Sequence, residues 1–268
     1  MEPQHQRTYK QARVYDVAFS FRNVAAECDA LATITQQHGR GPVGAVLELA
    51  AGPARHAREF ARRGAHATAL DAVPAMNHYA QARAQADGVA LETVCADMSA
   101  FRLSARFDLA VLLMDSASYL LDNDTVLRHL ACVAGHLVDG GLYVLEMGHP
   151  RDAFGVGTRS TQSHWTAEDQ GLRVSTRWGH DDDTFDPITQ IDAVRVHLQW
   201  SGPEGADELT ETARQRRFTA NEFDALVRAS GCFETVACYG ALDVSVPFDN
   251  APAAWRMVPV LRKRASRA

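Results

Sequence analysis

The feature that most constrains the fold is a strand–helix alternation running from Val43 to Met147. Val43–Leu49 is a short apolar run of the length of a buried parallel strand. It breaks at Ala50-Ala51-Gly52-Pro53 and gives way to an alanine-rich helix, Ala54–Arg63, closed by Gly64. Ala65–Leu70 reads as a second strand ending at Asp71, and Pro74 opens a helix that Asp87-Gly88 stops. Leu91–Cys95 and Phe107–Met114 are a third and fourth strand, followed by Asp97 and Asp115. Asp124 is placed as the N-cap of a helix through Leu137, stopped at Asp139-Gly140-Gly141, and Leu142–Met147 is a fifth strand. Ahead of them, Val24, Cys28, Leu31 and Ile34 recur at helical spacing. Near the end come a helix over Ala220–Ser230, a strand Phe233–Tyr239 and a last strand Trp255–Leu261. The pattern predicts an α/β chain with a doubly wound, mostly parallel seven-stranded sheet.

After His149-Pro150 the texture changes to period-two patterns with turn signals, over Thr158–Thr219. Leu172–Trp178, Ile188–Trp200 and Glu208–Phe218 read as antiparallel strands, with a further run around His164-Trp165-Thr166. The expected organisation is an N-terminal covering segment and helix (1–40), an α/β domain (41–157 and 218–268) and an inserted antiparallel β lid (158–217). Alternation puts Arg195, His197 and Gln199 on one face of the lid and Val194, Val196, Leu198 and Trp200 on the other. The polar face could line a pocket or meet solvent. Trp165 and Trp178 are further candidates for the pocket wall.

Charge narrows the partners. The formal net charge is −6, against the basic face that duplex nucleic acid requires. The one dense basic run, Arg262-Lys263-Arg264 with Arg267, reads as a solvated tail. Five cysteines, an odd number without CxxC spacing, argue for reduced thiols rather than a disulfide frame or zinc site. No apolar stretch has membrane-spanning length and the first residues lack a secretory apolar region, so a cytoplasmic protein without metal is expected.

The acids fall where a ligand site would be. Glu48 lies near the end of the first strand, and Asp71, Asp97 and Asp115 follow the second, third and fourth. In such sheets ligands bind outside the carboxyl ends of the strands, and small residues let backbone amides approach closely. Any one of these acids alone is also an ordinary turn residue. The dinucleotide pattern GxGxxG is absent, because its positions hold Ala50, Gly52 and His56. That weakens a nicotinamide-dependent oxidoreductase.

The series VLELAAGPARHAREFARRG, ATALDAVPAMNHYA, VCADMSAF and FDLAVLLMDSASYLL resembles the ordered motifs of class I S-adenosylmethionine-dependent methyltransferases. The likeness covers roughly Tyr15 to Pro150. By this resemblance Glu48, Ala50 and Gly52 match the first motif, with alanine at two usual glycines, Ala50 and Ala54. Asp71, with Ala72 beside it, would hold the ribose hydroxyls, and Met76 would pack on the adenine. Asp97 and Met98 would meet the adenine amine and ring nitrogen, and the Met114 carbonyl the cofactor's amino group. The segment YDVAFSFRN resembles the part of the family that folds over the cofactor, which implies Tyr15 against the methionyl end or the methyl group, with Tyr9 and Phe19 behind it. The inserted β segment is similar to that of glycine-type small-molecule N-methyltransferases, implying a small acceptor and admitting a homodimer.

Methyl transfer needs alignment more than acid–base chemistry. Should the nucleophile have to lose a proton, Asp115 and His149 are the candidates, with Tyr119 more remote. Two other readings keep the cofactor: an enzyme of the same fold with a non-methylating reaction, and a non-catalytic binding module. A nucleic-acid methyltransferase is disfavoured because Asp115-Ser116-Ala117-Ser118-Tyr119 stands where an Asn/Asp-Pro-Pro-aromatic signature would be.

Overall fold

The computed structural model describes residues 6–154 and 163–265. The helices are α1 (Gln6–Lys10), α2 (Ala12–Ala18), α3 (Val24–His38), α4 (Arg55–Arg62), α5 (Pro74–Ala86), α6 (Asn123–His136), α7 (Pro150–Phe154) and α8 (Ala220–Ser230). The first strands are β1 (Ala45–Leu49), β2 (His66–Asp71), β3 (Glu92–Cys95), β4 (Phe107–Leu112), β5 (Leu137–Leu145) and β6 (Met147–Gly148). Then come β7 (Ser163–Asp169), β8 (Leu172–Trp178), β9 (Thr184–Asp186), β10 (Ile191–Gly202) and β11 (Gly205–Arg216), and finally β12 (Phe233–Tyr239) and β13 (Arg256–Lys263).

The large sheet runs β12-β13-β5-β4-β1-β2-β3, with β6 added against β13. β5, β4, β1, β2 and β3 are parallel, while β13 and β12 join antiparallel. The chain order reverses between β1 and β4, the place where doubly wound sheets open a crevice for ligands. Period-two alternation sorts each strand to two cores. Leu47 and Leu49 of β1 face α6 and α8 with Leu130, Val133 and Phe223. Val46 faces α3, α4 and α5 with Leu31, Ile34 and Phe60.

The second sheet is antiparallel, in the order β11-β10-β8-β7, with β9 on β10. Val194, Val196 and Leu198 bury one face of it against Val14, Val17 and Ala18 of α2. The Arg195 and His197 face turns away from that core, with Arg195 paired to Asp182 and His197 to Thr210. Between the two alternatives for that polar face, solvent is the outcome.

Four local expectations are corrected. Asp122, not Asp124, caps α6: its Oδ1 accepts from Thr125 N–H at 2.7 Å. The helix ends at His136, so Asp139-Gly140-Gly141 lies inside β5, where the register against β4 jumps and Gly140 takes a φ of 76°. The glycines make an irregular strand rather than a stop. The lid has five strands where three or four were expected, the short β9 being the addition. Arg262 and Lys263 belong to β13 and pair with Glu234 and Asp139, so they are not tail residues. The expected 157/158 boundary and Arg267 lie outside the described residues.

One buried histidine anchors α6 to the sheet. His129 Nδ1 donates to the Met98 carbonyl at 2.8 Å, which requires Nε2 to accept from the Tyr143 hydroxyl at 2.6 Å. Burial lowers its pKa to about 4. An unfolded histidine takes a proton near pH 6.5, so the folded chain loses stability as pH falls from there toward 4. Urea titrations across that interval should show the loss, and His129→Gln should flatten it.

Candidate active site

The mouth of the β1/β4 crevice is made by two strained turns. After β1, Ala50 (φ 47°), Gly52 (φ 51°) and Ala54 (φ 54°) all take left-handed backbone. After β4, Met114 (φ 55°) and Asp115 (φ 59°) do the same. Non-glycine residues in this region cost energy and gather at functional sites. The need for left-handed backbone is the reason glycine would be usual at 50 and 54.

Asp71 closes β2 on the other side of the first turn. Its Oδ2 accepts from Gly52 N–H and its Oδ1 from Val73 N–H, both at 2.8 Å. Burial raises its pKa despite these two donors. A methyl group at Gly52 would stand 3.8 Å from Tyr15 Cε1 and 3.9 Å from Met76 Sδ, both ordinary contact distances, so the bare backbone leaves a narrow slot, about one carbon wide, beside Asp71, Tyr15 and Met76. Met76 is fully buried beneath Ala12 and Val73, with Tyr9 and Tyr15 packed on the same cluster. Helices α1 and α2 therefore roof the slot. Burial pushes the Tyr15 phenol far up, so it stays neutral.

Other expected residues take different places. Glu48 points toward α4: Oε2 accepts from Ala57 N–H at 2.7 Å and Oε1 lies 3.3 Å from His56 Nδ1. Only 5% exposed, it holds the turn rather than facing the slot. The Ala72 carbonyl meets the Cys95 thiol. Asp97 is exposed, its Oδ1 accepting from Ser99 N–H and Oγ–H, while Met98 is half-buried and fixed through its carbonyl by His129.

A cavity of about 460 Å³ adjoins the slot, between the large sheet's carboxyl edge and the lid. Tyr15, Phe19, Met114, Asp115, Tyr119, His149, Trp165 and Trp178 line it, together with Asp152, Gln215, Arg217 and Arg256. Asp115 Oδ1 accepts from Gly148 N–H and Oδ2 from Arg217 at 2.9 Å. His149 Nδ1 accepts from Arg151 N–H, so Nε2 carries the hydrogen and donates to the Asp249 carbonyl at 3.0 Å. Both of its ring nitrogens are thus spent on backbone. Of the lid residues singled out earlier, Trp165 and Trp178 reach the cavity, whereas Arg195, His197 and Trp200 are not among its lining.

The strongest polar feature was not read from the sequence. Glu146, completely buried at the end of β5, accepts two hydrogen bonds from Arg22 at 2.9 Å and one from Met114 N–H at 3.0 Å, with Arg256 at 3.3 Å. Burial alone would raise its pKa, but Arg22 and Arg256 hold it at about 2. Arg22 also meets Glu27, Glu27 meets His56, and His56 meets Glu48. Burial disfavours the His56 cation, yet Glu27 and Glu48 lift its pKa to about 9. The network ties the covering segment to both strained turns. An acid inside the apolar run Tyr143–Met147 was the available signal; Arg22 offered none.

Residues 46–141 match the family described as a methyltransferase domain. The chain carries a methyltransferase domain. The chain also shares its fold with solved structures over nearly its whole length. An S-adenosylmethionine-dependent methyltransferase from Clostridium acetobutylicum is 15% identical with a TM-score of 0.78, covering 96% of this chain and 99% of the other. The Streptomyces venezuelae protein DesVI is 20% identical with a TM-score of 0.75, covering 95% and 98%. A sugar N-methyltransferase from a Streptoalloteichus species is 21% identical with a TM-score of 0.70, covering 94% and 93%. No curated protein matches the sequence. Among the described residues no helix is long and apolar enough to cross a membrane, and no His, Cys, Asp and Glu cluster could hold a metal.

Proposed function

We propose that this methyltransferase uses S-adenosylmethionine to methylate a small-molecule acceptor held in the cavity beside the slot. The carrying observation is the slot itself, with Asp71, the bare backbone at Gly52, and the Tyr15 and Met76 side chains meeting at the sheet's switch point. These groups fit a nucleoside with an attached cationic chain. Asp71 would hold the ribose hydroxyls, Ala72 and Met76 the adenine face, Asp97 and Met98 the adenine edge, and the Met114 carbonyl the amino group. Glu48, Ala50 and Gly52 shape the turn, and the Tyr15 ring faces the sulfonium, since aromatic faces attract cations.

Bound there, the cofactor supplies an activated methyl group. The chain's own part is to align the acceptor and keep water out, which can account for roughly 7–11 kcal/mol of a barrier. Helices α1 and α2 with the lid do the excluding. Asp115 fixes Arg217 at the wall of the cavity, and His149 serves as wall rather than base, because both its nitrogens are occupied. The organisation into cover (1–40), α/β domain (41–157 and 218–268) and lid (158–217) belongs to the same reading. The small-molecule acceptor is supported by neighbours described as sugar and glycopeptide N-methyltransferases.

Calorimetric titration tests it. S-adenosylmethionine and S-adenosylhomocysteine should each bind with dissociation constants of about 1–100 µM, inside the usual range for enzyme ligands. Absence of heat from both would refute the proposal.

A further inference from the structure

The ion pairs around the cavity leave one carboxylate over. Four arginines line it, Arg22, Arg216, Arg217 and Arg256. Each already has an acid: Arg22 has Glu27 and Glu146, Arg216 has Glu222, Arg217 has Asp115 and Asp192, and Arg256 has Glu146. Among the described residues two carboxylates line the cavity, Asp115 and Asp152. Asp115 spends one oxygen on Gly148 N–H and the other on Arg217. Asp152, on α7, accepts no hydrogen bond among the described residues, and its ion pair with Arg151 is a loose 3.9 Å contact. Its side chain is 36% exposed, open enough to meet a ligand. Burial pushes its carboxyl up from the usual range, against the opposing pull of His149, Arg151, Arg256 and Arg217.

The remaining wall suits a cation too. Phe19 packs on Trp165 at 5.3 Å and on Trp178 at 6.2 Å between ring centres, and all three rings line the cavity. The Trp165 indole N–H is fixed by the Ala18 carbonyl at 2.6 Å, so this ring is held in place by the covering segment. A half-open carboxylate and ordered aromatic faces lining one cavity suit an ammonium group and the apolar body carrying it.

Building on the methyltransferase reading above, we propose that Asp152 anchors the acceptor, which enters as a cationic amine with its ammonium paired to this carboxylate. The same oxygens can take the proton that an ammonium must shed before its nitrogen has a lone pair. The N–H bonding pair then stays on nitrogen and the proton passes to a carboxylate oxygen. A hydroxyl acceptor would leave Asp152 with only its loose 3.9 Å contact to Arg151. The pocket thereby selects nitrogen over oxygen.

The test uses the full chain saturated with S-adenosylhomocysteine at neutral pH. Two ammonium probes, D-glucosamine and 2-phenylethylamine, are titrated against their neutral isosteres D-glucose and 2-phenylethanol, with wild type, Asp152→Asn and Asp152→Glu. At least one ammonium probe should bind about tenfold or more tighter than its isostere, the preference expected from one charge-assisted hydrogen bond. Asp152→Asn should erase the preference and Asp152→Glu should keep it. Equal affinity for cation and isostere, no binding of either pair, or a preference that survives Asp152→Asn each overturns the inference. If S-adenosylhomocysteine itself fails to bind, the cofactor reading fails first and the two failures are told apart.

Discussion

Replacing Arg22 by alanine is expected to destabilise the protein by about 3–5 kcal/mol, the usual result of stripping one partner from a buried ion pair. The Glu146 carboxylate would stay at zero exposure with Met114 N–H and Arg256 as its remaining partners. For a chain of this size the loss corresponds to a fall in melting temperature of roughly 6–20 °C. Glu146 contributes its share of stability above its unfolded pKa of 4.5, and that share is lost as pH drops toward about 2. The acid limb of a stability–pH profile should therefore be shallower in Arg22→Ala than in wild type. Thermal melts of the two proteins across that range would decide. A variant within 1 kcal/mol of wild type, by the scale of exposed pairs, would show that the network is ornamental.

Asp71→Ala should behave in the opposite way. Hydrogen bonds to a charged acceptor contribute about 1.5–3 kcal/mol each, so losing two to a ribose diol should weaken S-adenosylhomocysteine binding by roughly 100-fold or more. The ligand-free protein should nevertheless melt within about 4 °C of wild type, since relief of the buried Asp71 charge offsets much of the loss of its bonds from Gly52 and Val73 N–H. Calorimetry and a melt on the same sample separate the two effects. Unchanged affinity would remove Asp71 from the site; a collapse in stability would make it a structural residue. Together the variants distinguish the groups that build the crevice from the one that uses it.

Where local signals agreed with tertiary packing, the sequence was readable to the residue. Proline at the start of α5 marks its first turn. The Thr219–Glu222 capping box and the left-handed Gly231 bound α8 equally sharply. The parallel strands announced themselves because both their faces are buried, and the acids at their ends followed from the strand limits. The short helices α1 and α2 showed no helical period of their own, and the covering segment was read there only through the family resemblance. α2 is only seven residues long, about two turns, too short for a helical period to show, and its partners Leu172 and Val174 lie far along the chain in β8. The ion pairs Arg22–Glu146 and Asp115–Arg217 span 124 and 102 residues, so no local pattern could disclose them. His149 illustrates the converse. Its position after β5 is that of a catalytic base, but only the fold reveals that Asp249 and Arg151 have claimed it.

The alanine at position 54 has a consequence for how such chains can drift. Its methyl is wholly enclosed in the core while its backbone sits at φ 54°. Exchanging it for glycine would release about 1 kcal/mol of backbone strain and forfeit about 0.8 kcal/mol for a methyl withdrawn from its packing. The two nearly cancel, so selection for stability barely distinguishes the residues. Lineages can trade one for the other without penalty, and a signature search keyed to glycine will pass over chains that keep the same turn.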